Sequence, residues 1–405
     1  MDPLYILENM DKVKPAFQPI ISAVNHSISG YEVLGRFDEG GELKSLGEFF
    51  HDVDVPDDFK AEVDRHLLES AIATMIETGA PGSLFINRNA KQLMVNNGED
   101  LLHTLHAFKE KGFPMERIVL EITEHDFDED FDVLSHLLRY YKTYGIQIAV
   151  DHVGAKSSNI DRIRQLQPHI LKIDTSITRN NQTDIYEDVI YSLALLARRI
   201  GAKLAYENIE DKHQLYFAWK HGGHYYQGFY LARPQAAPVP SDSVAVNVRE
   251  NVQEFVRREK ELVEGRYTFA RLCEEKVKKL QPTWQGPEQA DAFIATLTEP
   301  FDEESFRMYI CRSDGEQVSS NFRKRGEQWE IEPLVKGANW SFRPYFLENI
   351  MHMKTWHRGM LSDTYSDIET GETVRTFSYP LSDEYFLYID IGYSFIFEND
   401  FLFMQ

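Results

Sequence analysis

Seven polar residues stand where short β-like runs end: Glu32, Asn87, Glu121, Asp151, Lys172, Glu207 and Gln227. The oxygen donors among them are hard ligands of the kind that divalent cations such as Mg²⁺ and Ca²⁺ take. Brought together they would make a metal-assisted site suited to a phosphodiester. His152 complicates the pattern, because it follows Asp151 where such chemistry would prefer a second carboxylate.

The elements that must bring them together read as a β/α alternation. The strand candidates are Gly30–Leu34, Leu84–Asn87, Ile118–Ile122, Ile146–Asp151, Ile170–Asp174, Lys203–Glu207 and Tyr225–Tyr230, with longer amphipathic stretches between them. This alternation over residues 1–240 predicts parallel strands joined by helical crossovers. Repetition at intervals of about 30 to 35 residues predicts closure into a barrel, whose C-terminal strand ends share one mouth. A single charged residue at a strand end is usually just solvated. Seven in phase are not explained that way.

The same blocks carry a family resemblance. Gln18-Pro19-Ile20 with Gly30-Tyr31-Glu32-Val33-Leu34-Gly35-Arg36 resembles the QPI and GYEALxR blocks of EAL domains, with Val33 in place of the motif alanine. Ile86-Asn87, Leu120-Glu121-Ile122-Thr123-Glu124, Leu171-Lys172-Ile173-Asp174, Tyr206-Glu207-Asn208-Ile209-Glu210 and Gln227-Gly228-Phe229 follow in the family's order. The resemblance implies a TIM-like barrel that binds cyclic di-GMP. In the family's reaction a pair of divalent cations about 4 Å apart activates water and neutralises the phosphate. By that resemblance Glu32, Asn87, Glu121 and Asp151 hold the metal, Mg²⁺ or Mn²⁺ with Ca²⁺ as a further candidate. Glu32, Lys172 and Glu207 are then the catalytic residues, Gln18, Leu34, Arg36 and Gln227 contact the dinucleotide, and Glu124 supports the loop after Asp151.

That loop departs from the family. The pattern DDFGTGYSSL is replaced by Asp151-His152-Val153-Gly154-Ala155-Lys156-Ser157-Ser158-Asn159-Ile160. A carboxylate can bridge two cations, whereas an imidazole gives one lone pair to one metal and adds no negative charge. One metal site is therefore expected rather than two. His152 either hydrogen-bonds to Asp151 and orients it, or ligates a softer cation such as Zn²⁺ or Fe²⁺. The expected function is cyclic di-GMP binding with weak or lost hydrolysis, in a signalling effector or sensor. The alternative is a working metal-dependent phosphodiesterase that yields linear pGpG.

Composition bounds the rest. A formal charge of −22 over 405 residues would repel a nucleic-acid backbone, which argues against a DNA or RNA partner. The N-terminus is acidic and interrupted by Pro3 and Pro15, unlike a signal peptide, and no apolar run reaches the roughly 20 residues of a membrane span. Cys273 and Cys311 are too few and too far apart for a disulfide framework, so a cytoplasmic setting is expected. The acidic run Asp126–Asp132 fails as a calcium loop at Phe131 and Leu137. The pairs His103/His106 and His221/His224 have no third ligand in pattern.

After Arg233-Pro234 and the linker Ala236–Ser241 comes a charged helix within 241–285. Its apolar stripe runs through Val248, Val252, Phe255-Val256, Leu262-Val263, Phe269-Ala270, Val277 and Leu280. Such a stripe packs on the chain itself or on a second copy, and with the EAL resemblance it leads to the expectation of a homodimer. Residues 286–405 alternate in a way that predicts an antiparallel α+β domain. Trp340–Phe346, the later TGE turn and the Ile-Asp-Ile run resemble PAS-like or Cache-type sensor folds. The pairing of such a tail with an altered EAL barrel resembles the YkuI-like family. A sensor reading places Arg343, Tyr345 and Tyr365 at a pocket for an unknown small ligand, with a protein partner as the other possibility.

Overall fold

The run Val13–Ser22 (β1) turns back through five residues into Ile28–Glu39 (β2), and a connection that short forces the two strands antiparallel. Every later barrel strand arrives after a helix, and a helical crossover returns the chain in parallel. The computed structural model describes residues 2–123, 131–154, 160–176, 183–240, 244–343, 346–368 and 370–403. Over the first part of the chain it contains Glu42–Ser45 (β3), Ser83–Asn87 (β4), Ile118–Thr123 (β5), Gln147–Asp151 (β6), Ile170–Asp174 (β7), Lys203–Glu207 (β8) and Gly223–Tyr226 (β9).

Strands β2, β4, β5, β6, β7, β8 and β9 pair in parallel, in that order. Strand β1 pairs antiparallel with both β2 and β9 and closes the ring, while β3 extends the edge of β2. The barrel is thus eight-stranded, closed as its β/α alternation predicts but with β1 added to the seven strands expected and running in reverse. Its crossover helices include Asp57–Thr78, Glu99–Glu110, Phe131–Thr143 and Lys212–Lys220. The first ends at Gly79 in the left-handed conformation (φ 63°), and the last begins at Asp211, whose carboxylate accepts the Gln214 backbone N–H.

The barrel interior is filled by a layer of small and branched side chains. Ile20, Phe85, Val119, Ala149, Ile170 and Ala205 form one buried cluster, with Tyr225 packed against it. Strand β2 contributes only Gly30 at this level, because a Cβ there would lie 2.5 Å from the Ser83 carbonyl oxygen and 3.0 Å from the Phe85 ring. Side chains alternate across a strand, so a residue two positions away from each floor residue also points inward, one layer along the barrel.

The chain divides into two compact units, Met1–Phe255 and Val256–Gln405. The helix Ala245–Leu280 begins in the first and ends in the second. Its stripe is used within the chain: Val248 and Phe255 join the barrel core, and Phe269, Cys273 and Val277 join the core of the second unit. In that unit Ser305–Arg312 (β10), Asn321–Arg325 (β11), Gln328–Glu332 (β12), Met360–Leu361 (β13), Tyr365–Ser366 (β14), Thr373–Pro380 (β15) and Tyr385–Ile391 (β16) form antiparallel pairs, in the order β12-β11-β10-β16-β15-β13. Alternation along β10 serves both faces. Met308 and Ile310 join the core with Phe269 and Val277, and Tyr309 and Cys311 pack with Phe346 and Met353 of the helix Phe346–Trp356. No helix among the described residues is long and apolar enough to cross a membrane.

Candidate active site

Stepping two residues along each strand from the apolar floor reaches a polar residue every time. Gly30 leads to Glu32, Phe85 to Asn87, Val119 to Glu121, Ala149 to Asp151, Ile170 to Lys172, Ala205 to Glu207 and Tyr225 to Gln227. Strand β1 runs the other way, and from Ile20 the step back gives Gln18, paired in register with Glu32. One side chain from each of the eight strands therefore lines a single layer at the mouth. All seven residues expected to converge do so, and Gln18 joins them.

Lys172 sits at the centre, 1% exposed. Its Nζ lies 2.9 Å from Glu121, 3.1 Å from Glu207, 3.3 Å from Glu32 and 3.9 Å from Asp151. Around it the amides link neighbours. Asn87 Nδ2 donates to Glu32 Oε1 (2.8 Å), and Gln227 Nε2 donates to Glu32 Oε2 (2.6 Å) and to Gln18 Oε1 (3.2 Å). Among the roles expected from sequence, that of Lys172 as an internal cation tying four carboxylates was missed. The signal for it was present in the small or branched residue two positions before each polar one.

Four carboxylates at close quarters do not titrate alike. Burial, then the Glu32 charge, pushes Glu121 well above the usual carboxylate range. Burial also raises Asp151, to about 6. Burial acts in the same direction on Glu207, but Lys172 and His152 overcome it and hold that carboxyl at about 2. Lys172 is held well above its ordinary value, because the surrounding carboxylates outweigh its desolvation.

The imidazole of His152 turns away from the role of orienting Asp151. Its backbone N–H donates to Asp151 Oδ1 (2.8 Å), while its ring Nδ1 lies 3.8 Å from Asp151 and 3.1 Å from Glu207. The close pairing with Glu207 raises the ring to about 9 against the opposing effect of its burial. Arg36 lies within a strand rather than beyond the expected end at Leu34. Strand β2 continues through Arg36 to Glu39, so Glu32, Leu34 and Arg36 share one face. The Arg36 guanidinium donates to the Gly35 carbonyl (2.9 Å), and no carboxylate partner is seen for it among the described residues. Glu124, Ala155 and Lys156 lie outside the described residues, as does most of the acidic run from Asp126.

The donor set fits a divalent cation on structural grounds. Glu32, Glu121, Asp151 and the Asn87 amide converge on one wall. Glu121 Oε1 and Glu207 Oε1 are buried with only ion-pair neighbours, Lys172 at 2.9 Å and His152 at 3.1 Å, which leaves carboxylate lone pairs for a cation. The EAL-domain family model matches residues 7–234. The chain belongs to the EAL-domain family. A second model, described as an EAL-domain associated signalling protein domain, matches residues 239–403.

Among EAL proteins, the chain is 42% identical to YkuI of Bacillus subtilis over 403 residues, 99% of each chain. It aligns with a TM-score of 0.93 to the crystal structure of YkuI in complex with substrate c-di-GMP and calcium, covering 99% of this chain and 100% of that one. The probable cyclic di-GMP phosphodiesterase PdeD of Escherichia coli is 23% identical over 220 residues, 54% of this chain and 40% of PdeD. The FimX EAL domain of Pseudomonas aeruginosa, bound to c-di-GMP, aligns with a TM-score of 0.51 at 24% identity, covering 58% of this chain and 98% of that domain, and supports the fold alone.

Tyr345, expected at a sensor pocket, lies outside the described residues. Arg343 stacks over Trp340 (4.7 Å), with its Nη1 3.5 Å from the Tyr309 hydroxyl, and the Tyr365 hydroxyl bonds to Thr376 Oγ1 (2.7 Å). Arg343 and Thr376 line one small cavity in the second unit. The histidine pairs take structural positions: His106 packs edge-on against Tyr144, and the Nδ1 atoms of His221 and His224 lie beside the Phe217 and Gly222 carbonyls.

Proposed function

We propose that the barrel binds cyclic di-GMP with a divalent cation at its mouth and hydrolyses it weakly or not at all. The observation that carries this reading is the charge of the eight-residue layer. Glu32, Glu121, Asp151 and Glu207 face one ammonium, and the His152 ring adds no negative charge, which leaves at most three uncompensated negative charges. An aspartate at 152 would raise the deficit to four, the charge of two divalent cations. The 42% identity with YkuI, whose crystal structure holds c-di-GMP and calcium, supports the choice of ligand.

In this reading Glu32, Asn87, Glu121 and Asp151 hold the cation, which would neutralise phosphate charge and lower the pKa of water. Gln18, Leu34 and Gln227 line the dinucleotide, and Arg36 offers a planar fork to a phosphate. Glu124 steadies the altered loop. The alternative, a phosphodiesterase yielding linear pGpG, is favoured by one observation: Glu207 is held ionised, 3.1 Å from Lys172, so it can accept a hydrogen bond from a water and orient it beside a cation.

The reading extends to a cytoplasmic homodimer whose second unit senses a small ligand or meets a protein partner. Support comes from the free, buried cysteines, from Val256 and Leu272 exposed on the long helix, and from the cavity lined by Arg343. Calorimetry with Ca²⁺ and product analysis with Mn²⁺ or Mg²⁺ test the core of it. Binding is expected with Ca²⁺, with little linear dinucleotide formed. No heat of binding removes the reading, and brisk turnover that Glu32→Ala abolishes establishes the alternative.

A further inference from the structure

We infer that the mouth carries a second cation position, formed by Asp151, His152 and Glu207, whose imidazole nitrogen makes it favour first-row transition cations, Mn²⁺ included, over Mg²⁺ and Ca²⁺. The inference deepens the cyclic di-GMP reading, since it names the condition under which a second cation joins the first. Among the described residues, the donor atoms of these three side chains lie within 4.8 Å of one another. Ligands that share a cation at about 2.1 Å stand about 3.0 Å apart when adjacent in an octahedron and about 3.4 Å apart in a tetrahedron. The observed separations of His152 Nδ1, 3.1 Å from Glu207 and 3.8 Å from Asp151, need only small adjustment.

The position is built from two directions. Asp151 and Glu207 end strands β6 and β8, with β7 and Lys172 between them. His152 adopts φ 57°, a left-handed conformation tolerated by histidine more than by most residues, and the Val153 N–H donates to the Lys172 carbonyl (3.0 Å), fixing the turn against β7. That turn brings the imidazole to Glu207. An independent sign of a missing ligand is Glu207 Oε1, buried and without an aligned hydrogen bond although the imidazole is 3.1 Å away. The His152 side chain remains 46% exposed, so the position is open to an entering ion.

The chemistry follows from the donors. Carboxylate oxygens accept Mg²⁺, Ca²⁺ and Mn²⁺ readily, whereas imidazole suits Zn²⁺, Fe²⁺ and neighbouring ions, with affinity rising along the first transition row. Replacing the second aspartate of the family pattern by His152 exchanges a charged oxygen for a neutral nitrogen. It therefore weakens Mg²⁺ and Ca²⁺, which rely on charge, more than Mn²⁺, Co²⁺ or Zn²⁺. When such an ion binds, the Nδ1 lone pair goes to the metal, and a proton held there leaves to solvent.

The test uses the metal-stripped full-length chain with Mn²⁺ added in the presence of millimolar Mg²⁺. Pulsed EPR should detect coupling of Mn²⁺ to an imidazole ¹⁴N. His152→Ala should abolish that coupling and weaken Mn²⁺ binding at this position by at least about tenfold, the loss that removal of even an outer-shell partner produces. His152→Asp should give no nitrogen coupling but restore competition by Mg²⁺. Three results overturn the inference: no Mn²⁺ retained against Mg²⁺, Mn²⁺ retained without nitrogen coupling, or coupling that survives in His152→Ala. Cyclic di-GMP binding with Ca²⁺, measured on the same proteins, reports on the proposed function separately, because that reading needs only the oxygen-lined cation position.

Discussion

Lys172 is the one cation in a buried layer that holds four carboxylates, and its removal tells how that layer is stabilised without metal. In Lys172→Met the side-chain volume is nearly kept, but Glu32, Glu121, Asp151 and Glu207 lose their shared counter-ion. Breaking a buried pair by deleting one partner typically costs about 3–5 kcal/mol. The metal-free variant should melt well below the parent, and Ca²⁺ should recover more of the loss than it adds to the parent, because the ion replaces the missing charge. A melting curve unaffected by the substitution would mean that the layer protonates instead. His152 gives a pH signature with a definite sign. Its ring is raised from 6.5 to about 9, so the stability it contributes is complete below about pH 6.5 and is lost as pH rises through about 9. In chelator, the parent should lose melting temperature between pH 7 and 9.5 while His152→Ala stays flatter over that window. The difference should shrink in high salt, since the side chain is about half exposed.

At the scale of elements, the mouth is only as exact as the turns that end its strands. Gly228 follows Gln227 where the chain runs beside Ile209, just past the end of β8. A Cβ there would lie 2.0 Å from the Ile209 carbonyl oxygen and 2.3 Å from its nitrogen, in the ladder where the Ile209 N–H donates to the Gln227 carbonyl. Gly228→Ala should therefore cost about 1–3 kcal/mol or more and weaken dinucleotide binding by displacing Gln227. Gly47→Ala, where a Cβ would meet nothing nearer than Ser45 Oγ at 3.4 Å, should leave both melting temperature and binding near the parent values. Such turns explain what could be read in advance. Strands β4 to β8 and their polar ends were legible, because apolar runs of period two and intervening helices leave few arrangements, whereas β9 was expected at Tyr225–Tyr230 and spans Gly223–Tyr226. Strand β1 was hidden by Pro15 and Pro19, which cannot donate to a ladder and so disguise a strand paired on both sides. The end of β2 was placed short of Arg36, since Gly35 looks like a terminus in sequence. It sits instead where a Cβ would press on Leu67 at 2.9 Å. The contact of His152 with Glu207 depends on a left-handed turn between residues far apart in the chain, which no local pattern announces.

For the whole molecule, the net charge of −22 acts over distances that the individual contacts do not. The long helix spends its stripe on the two cores, through Val248 and Phe255 in one and Phe269 and Val277 in the other, so a heptad seam does not by itself account for a dimer. Light scattering of the full chain decides the oligomeric state. The field has opposite consequences for the two ions that the proposed function brings to the mouth. It raises the local concentration of divalent cations and repels a dinucleotide with two phosphodiester charges. Salt shortens its reach, to about 10 Å at 0.1 M. Raising NaCl should therefore weaken Ca²⁺ binding, while the association rate of cyclic di-GMP at saturating Ca²⁺ should increase. Stopped-flow measurements across that range separate the two effects. Were the association rate to fall with salt, the potential at the mouth would have to be positive. Arg36 and the bound cation would then outweigh the acidic surface, and the dinucleotide would be drawn in by the site rather than admitted against the charge of the protein.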